Sequence, residues 1–296
     1  MTHFGILKVN KPLGCTSRDV VNRVERIVRP AKTGHAGTLD PLATGVLVIC
    51  VGQATRLIQY IQQMPKEYHA TFLLGHHSVT DDTEREVTVL ADARRPALAE
   101  IEAALPQFIG AIQQRPPQHS AVKVAGRRAY KLARKGQNIE LAPRTVTIHA
   151  IQINRYVYPE LELTIRCGSG TYVRSLGRDL AATLGTSAVM SALQRTAIGG
   201  FHVEAGVAID DLKAENLADH LQPAVVAVAE LPRLTLSAAE LVEIGHGRPI
   251  AMPHRETDDA TAGPRSKFAA LDPTGQLAAI LYEKRPGQLW PEHNFH

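Results

Sequence analysis

The stretch Gly34–Leu47, GHAGTLDPLATGVL, constrains this chain more than any other. Three glycines, Gly34, Gly37 and Gly45, surround a single acid, Asp40, placed directly before Pro41. A residue before proline is driven out of the helical region toward extended geometry. Glycine reaches backbone angles that other residues adopt only at a cost. The segment therefore predicts a stiff loop that displays Asp40 between a basic helix and an apolar strand. A carboxylate held in that way can act as nucleophile or as base. The plainer alternative is that Asp-Pro opens a type I turn, with the side chain bonding its own backbone.

The surrounding pattern predicts mixed α/β architecture. ILKV (6–9) reads as a strand and KPLGCTS (11–17) as a turn with a Ser or Thr cap. In 18–29, Val20, Val21, Val24, Ile27 and Val28 recur at helical spacing before Pro30. VLVICVG (46–52) and YHATFLLG (68–75) read as strands, and 54–64 and 96–110 as amphipathic helices. SVTDDTERE (78–86) reads as a polar loop. Residues 146–158 and 160–167 alternate like paired strands, and 173–185 reads as a helix closed by Gly185. Beyond Leu231-Pro232 the texture changes, and 267–283 reads as a hairpin turning at Asp272–Gly275. The expected division is a larger domain at 1–229, with a basic insertion at about 113–145, and a small β-rich domain at 230–296.

Charge distribution says more than net charge, which is +4. From Arg115 to Arg144 there are eight basic residues and only Glu140 opposes them. A clustered basic stripe is the footprint of phosphate-backbone binding, whereas a solvated helix face usually interleaves acids. No run of about 18 apolar residues exists, so no membrane helix is expected. The first residues lack the apolar core of an export signal. Cys15, Cys50 and Cys167 are odd in number and widely spaced, which argues against a disulfide framework or zinc site and fits a reducing cytoplasm. No phosphate-loop, dinucleotide or metal-ligand motif is present.

The Asp40 loop closely resembles the central motif of the TruB-type tRNA pseudouridine synthases. Three further segments share the resemblance in the same order: LKVNKPLGCTS (7–17), KEY (66–68) and GTYVRSLGRDL (170–180). The implied fold is a pseudouridine-synthase-like catalytic domain with a central, mostly antiparallel sheet, followed by a small PUA-like domain. The implied reaction converts uridine 55 of the tRNA T-arm to pseudouridine. The N1–C1′ bond breaks, the uracil turns, and C5 bonds to C1′. No redox change occurs, so no cofactor and no metal are expected.

The resemblance implies that Asp40, Tyr68 and Arg174 form the catalytic set. Asp40 acts as nucleophile or base, Tyr68 stacks on the uracil and is one candidate acceptor of the C5 proton, and Arg174 reaches the carboxylate. An arginine at a helix start opposes the helix dipole, which itself points to a specific anionic partner. His35 is the residue that fills the space of the flipped nucleotide, and Tyr172 and Leu193 line the pocket; in Leu193 the bland alternative is helix core. Lys11 and Pro12 shape the pocket floor. Lys123, Arg127, Arg128, Lys131, Arg134 and Lys135 are expected to grip phosphates. The expected partner is tRNA, without guide RNA or membrane, and the protein is expected to be a monomer. A non-catalytic tRNA-binding or folding chaperone is the alternative; a guide-dependent, dyskerin-type synthase fits less well with the short tails. The chain departs from the family pattern at His119, at Gln194 and in the loop after Gly75.

Overall fold

The computed structural model describes residues 3–117, 141–252 and 266–295, together with the backbone of two short strands at 123–124 and 127–128. Among them, the largest element is a ten-stranded sheet. Its strands are β1 (Gly5–Lys11), β2 (Thr33–His35), β3 (Ala43–Val51), β4 (Lys66–Leu74), β7 (Gly110–Gln114), β10 (Arg144–Val157), β11 (Glu160–Cys167), β12 (Ala188–Ile198), β13 (Phe201–His202) and β14 (Val207–Ala208). The order along the sheet is β14-β1-β3-β12-β4-β11-β10-β7, with β2 on β3 and β13 on β12. Only the β1–β14 and β3–β12 pairings are parallel; the sheet is otherwise antiparallel, as expected. Two small ladders, β5 (His76–His77) with β6 (Thr88–Val89) and β8 (Lys123–Val124) with β9 (Arg127–Arg128), stand apart from it.

The two halves of the sheet are buried differently, and this explains their sequences. β1 and β3 are covered on both faces. Leu7, Val9, Leu47 and Ile49 meet helix α1 (Ser17–Val28), while Ile6, Val46, Val48 and Cys50 meet α2 (Ile58–Gln63) and neighbouring turns. A strand buried on both sides reads as a continuous apolar run, as β3 does. β4 and β11 bury one face. Tyr68, Ala70, Phe72 and Leu74, with Leu161, Leu163 and Ile165, pack under α3 (Leu98–Ala104) and α4 (Val173–Thr183). His69 and Thr71 face the other way, so these strands alternate.

Helix α1 begins at Thr16, whose hydroxyl accepts from Asp19 N while the Asp19 carboxylate accepts from Thr16 N, a reciprocal capping box. Two expected helices are shorter than the pattern suggested. Residues 52–57 form 3₁₀ turns before α2, and Pro106 ends the α3 segment in a 3₁₀ turn that leads into β7. Proline cannot supply the N–H that a continuing helix needs. Strand β12, at the centre of the sheet, was not anticipated, and Leu193 lies in it rather than in a helix core. Register shifts at Met190/Ala192 and Arg195/Ala197 break its alternation, and its buried positions include Arg195 and Thr196.

The second sheet has the order β15-β17-β18-β19-β16, built from β15 (Arg233–Thr235), β16 (Ile250–Ala251), β17 (Lys267–Leu271), β18 (Leu277–Arg285) and β19 (Gln288–Asn294). Helix α5 (Ala238–Gly245) packs on it around Leu236, Ile244, Phe268 and Leu281. The expected hairpin is β17–β18, and Asp272 Oδ1 accepts from both Thr274 N and Gln276 N in its turn. This sheet docks on the α2 region. Ala269, Leu277, Ile280 and Phe295 join the core under β1 and β3, Arg56 donates to Asn294 O at 2.7 Å, and Tyr60, Lys267 and Glu292 bond mutually.

Gly45 decides whether β3 can lie beside β12. Its φ is +101°, and a Cβ there would sit 2.2 Å from Arg195 O. Both the angle and the space exclude a side chain. Gly45→Ala is expected to destabilise the protein by more than about 1 kcal/mol, read as a lowered urea midpoint; an unchanged midpoint would show that the β3–β12 contact yields.

Candidate functional site

Asp40 sits in a loop pinned from several sides. Ala43 N donates to Asp40 O at 3.0 Å, so residues 40–43 do form the turn with Pro41 at its second position. The carboxylate, however, reaches across the molecule to Arg174. Ser17 Oγ bridges both backbone groups of Leu39, accepting from N at 2.8 Å and donating to O at 3.0 Å. Glu84 accepts from Leu42 N at 2.7 Å. Gly14 N donates to Pro41 O, and the buried Lys11 ammonium donates to Pro12 O, Cys15 O and Pro41 O. Burial holds the Lys11 pKa below its ordinary value. On the far side, Arg195 donates through Nη2 to Gly37 O and through Nε to Val46 O. The loop is thus fastened to residues 11–17, to Glu84 and to Arg195.

Arg174 is the second residue of α4, and its side chain is only 6% exposed. Its Nη2 lies 2.9 Å from Asp40 Oδ2, and its Nη1 lies 3.1 Å from Asp82 Oδ2 and donates to Thr80 O at 2.9 Å. Asp82 is 1% exposed, whereas Asp40 is 37% exposed. One guanidinium therefore joins a structural carboxylate in the interior to a carboxylate that opens onto a cavity. Cations are unfavourable at helix N-termini, and two anions here offset that cost.

Asp82 belongs to the segment expected to be a polar loop. That loop is packed on β12: Met190 N donates to Asp81 O and Thr83 N donates to Met190 O. Ser78, Thr80 and Asp82 are buried in alternation, and Thr80 Oγ1 and Glu84 N both donate to the Asp82 carboxylate. The alternation of small polar residues was present in the sequence, but no apolar period marked it as buried.

The cavity holds about 290 Å³ and is lined by Asp40, Tyr68, Tyr172, Arg174, Leu193 and Arg195 among others. That lies at the lower end of ligand pockets, roughly 300–1,000 Å³. Tyr68 is buried, and burial raises its phenol pKa although the Arg195 guanidinium beside it works against this. Arg144 lies over the Tyr172 ring at 4.6 Å. Lys66, two residues before Tyr68 on β4, also reaches the wall. Its ammonium donates to Gln62 O and Met64 O at the end of α2, and burial, with Arg195 nearby, lowers its pKa to about 8. A larger cavity of about 750 Å³, lined by Met64, Phe201 and Val226, contains none of the candidate residues. Among the described residues no cluster of three or more His, Cys, Asp and Glu side chains could hold a metal, and no helix is long and apolar enough to cross a membrane.

A profile described as the TruB family pseudouridylate synthase, N-terminal domain, matches residues 25–173. The tRNA pseudouridine synthase B of Thermobifida fusca (strain YX) is 41% identical over 295 residues, covering 97% of this chain and 97% of its own length. The enzyme of the same description from Arthrobacter sp. (strain FB24) is 42% identical, covering 94% of this chain and 92% of its own. This chain belongs to the TruB family of pseudouridylate synthases. A chain of the solved structure described as a Cbf5-Nop10-Gar1 complex is 26% identical, with a TM-score of 0.72 over 94% of this chain and 78% of that one.

Within this TruB-family fold, Asp40, Tyr68, Tyr172, Arg174 and Leu193, drawn from four separate places in the sequence, meet at one cavity. His35, Lys11 and Pro12 are not on its wall. His35 ends β2 and its Nδ1 accepts from Gly37 N at 3.3 Å; Lys11 and Pro12 brace the loop from behind. Lys123, Arg127 and Arg128 lie in the β8–β9 ladder, paired Lys123 with Arg128. Lys131, Arg134, Lys135 and His119 lie outside the described residues. Asp82, Arg195 and Lys66 were not singled out from sequence. The signal for Asp82 and Arg195 is burial of a charge, which only a structure reveals. Cys50 and Cys167 are buried, and burial pushes their thiols up to about 12 and about 11.

Asp82→Ala strips the buried guanidinium of one partner and is expected to cost about 3–5 kcal/mol in urea denaturation; a loss below about 1 kcal/mol would mean that solvent replaces the carboxylate. Lys66 has a pH signature. Between about 8 and its ordinary 10.5 the native state has released a proton that the unfolded state still holds, so its contribution to stability rises with pH. Relative to Lys66→Met, the wild type should therefore gain stability from pH 8 to pH 10.5. Parallel stability curves for the two proteins would refute the lowered pKa.

Proposed function

We propose that this protein isomerises uridine to pseudouridine in tRNA, at position 55 of the T-arm, by base flipping and cleavage and re-formation of the glycosidic bond. The observation that carries this reading is the Asp40 carboxylate, turned onto a cavity and held by Arg174, in a chain of the TruB family. The names of its relatives support tRNA as the substrate.

The cavity is recessed, so a uridine stacked in a stem-loop must leave its stack to reach Asp40. Extrusion costs a few kcal/mol. Stacking on an aromatic ring returns roughly 1–3 kcal/mol per base, the role assigned to Tyr68. With its pKa raised by burial, Tyr68 stays a phenol at neutral pH, which favours stacking over acceptance of the C5 proton. Asp40 does the bond chemistry as nucleophile or base. Arg174 keeps the carboxylate oriented, and the interior Asp82 offsets part of the guanidinium charge. C5 gives up a proton and N1 gains one, so the isomerisation balances with no cofactor. His35 fills the gap left by the flipped nucleotide, and Lys11 and Pro12 hold the Asp40 loop. Lys123, Arg127, Arg128, Lys131, Arg134 and Lys135 grip phosphates, and residues 230–296 serve as a PUA-like RNA-binding module beside a catalytic domain at 1–229. Recognition of tRNA by this chain's own basic segment makes a guide RNA unnecessary.

The test is incubation of the purified protein with unmodified tRNA, without guide RNA or metal, followed by mapping of pseudouridine. Modification at position 55 is expected. Asp40→Asn should bind tRNA within about threefold of wild type and lose about 1000-fold or more in rate, about 4 kcal/mol of transition-state stabilisation. Tight binding by the wild type with no pseudouridine at any position would favour the tRNA-folding chaperone instead.

A further inference from the structure

Arg174 can serve Asp40 only if the first turn of α4 is held in place. That turn has no side-chain cap: Tyr172 occupies the N-cap position and makes no capping hydrogen bond of its own. Four N–H groups at a helix start need partners from elsewhere. The nearest support comes from β7, a strand far from it in sequence.

Gln114, the last residue of β7, is 1% exposed. Its side-chain amide clasps the backbone of Tyr172 on both sides. Oε1 accepts from Tyr172 N at 2.7 Å, and Nε2 donates to Tyr172 O at 3.0 Å. A carboxamide has one acceptor and one donor side, and here it completes both backbone groups of a single residue. The next residue continues the attachment. Arg115 O accepts from Ser175 Oγ at 2.9 Å and from Arg178 Nη2 at 3.0 Å. Ser175 is fully buried. Arg178 also pairs with Asp81 at 2.9 Å, and Asp81 adjoins Asp82, the interior partner of Arg174. Gln114 and Arg115 thus fasten α4 at positions 172, 175 and 178, three residues apart on one face, with Arg174 between the first two. The same contacts brace the 80–82 segment that holds the guanidinium from the other side.

We propose that Gln114 is a positioning residue for pseudouridine formation, setting the Arg174 guanidinium through the backbone of Tyr172. It does not itself line the cavity, and it reaches Arg174 through Tyr172, the wall residue at the start of α4. The proposal rests on the reading that the protein isomerises uridine in tRNA. Conversion by the wild type tests that reading, and the ratio of variant to wild type in the same assay tests the proposal.

The variant is Gln114→Leu, similar in size and without donor or acceptor. Under single-turnover conditions with saturating tRNA, its rate should fall about 10- to 100-fold, about 1.4–2.7 kcal/mol, with tRNA affinity within about threefold. In an Arg174→Lys background the same substitution should cost less than about threefold, because residues acting as one unit are not additive. Gln114→Glu gives a second signature. Its neutral carboxyl can donate to Tyr172 O and accept from Tyr172 N, but the ionised form cannot donate. Burial raises a carboxyl pKa, so the rate of Gln114→Glu relative to wild type should recover as pH is lowered from 8.5 to 6, while that of Gln114→Leu does not. An unchanged rate in Gln114→Leu, a loss fully additive with Arg174→Lys, or a defect wholly in affinity would overturn the proposal. Should Gln114→Leu fail to fold, Ser175→Ala reads the same attachment through Arg115 O: a several-fold slower rate at unchanged affinity supports it, and a wild-type rate overturns it.

Discussion

A single guanidinium between two carboxylates organises the candidate site of this molecule. Arg174 is nearly fully buried, and a buried cation is tolerated only when paired and hydrogen-bonded. Asp82 and Thr80 O satisfy one side of it from the interior, and Asp40 completes the other at the edge of the cavity. The arrangement ties three segments together: the Asp40 loop, the 78–84 segment and the start of α4. Displacement of any of them removes a partner from the buried guanidinium or from Asp82, so each constrains the others.

Around that centre, the Asp40 loop is immobilised mostly by contacts to its backbone. Ser17, Glu84, Lys11 and Arg195 each meet N–H or carbonyl groups of residues 37–42, or of the turns beside them. Arg195 has a double function. It fastens Gly37 and Val46 while standing next to Tyr68, so loop position and the electrostatics of the aromatic wall depend on one buried side chain. Groups oriented in advance need no rearrangement when charge develops in a reaction, and this is where such pre-organised sites gain most.

The sheet explains why such a site can be built in its middle. β12 runs parallel to β3 and antiparallel to β4, joining the half covered on both faces to the half with one open face. Leu193 and Arg195 project from the joining strand, with Tyr68 and Lys66 from β4 beside it. The C-terminal sheet is attached close by. Its contacts through Tyr60, Lys267 and Glu292 end on α2, whose last carbonyls are held by Lys66. The rigid frame and the site therefore share residues.

Much of this was legible in the chain as written. The Asp40 loop with its three glycines, the capping residues before α1, the alternation of β4 and β11 and the Asp272 turn are local matters, set by backbone sterics and by one- or two-sided burial. The resemblance of four ordered motifs also pointed to Asp40, Tyr68 and Arg174. Tertiary structure alone decided the rest. β12 was hidden because two register shifts break its period and because it carries a buried arginine. Within the polar 78–86 loop, Ser78, Thr80 and Asp82 are interior, Asp82 because it is matched by a cation ninety-two residues further along the chain. Local pattern reports how a segment meets water on its own; it cannot report a polar group whose partner is supplied from far away, and the partnered charges at this site are of that kind.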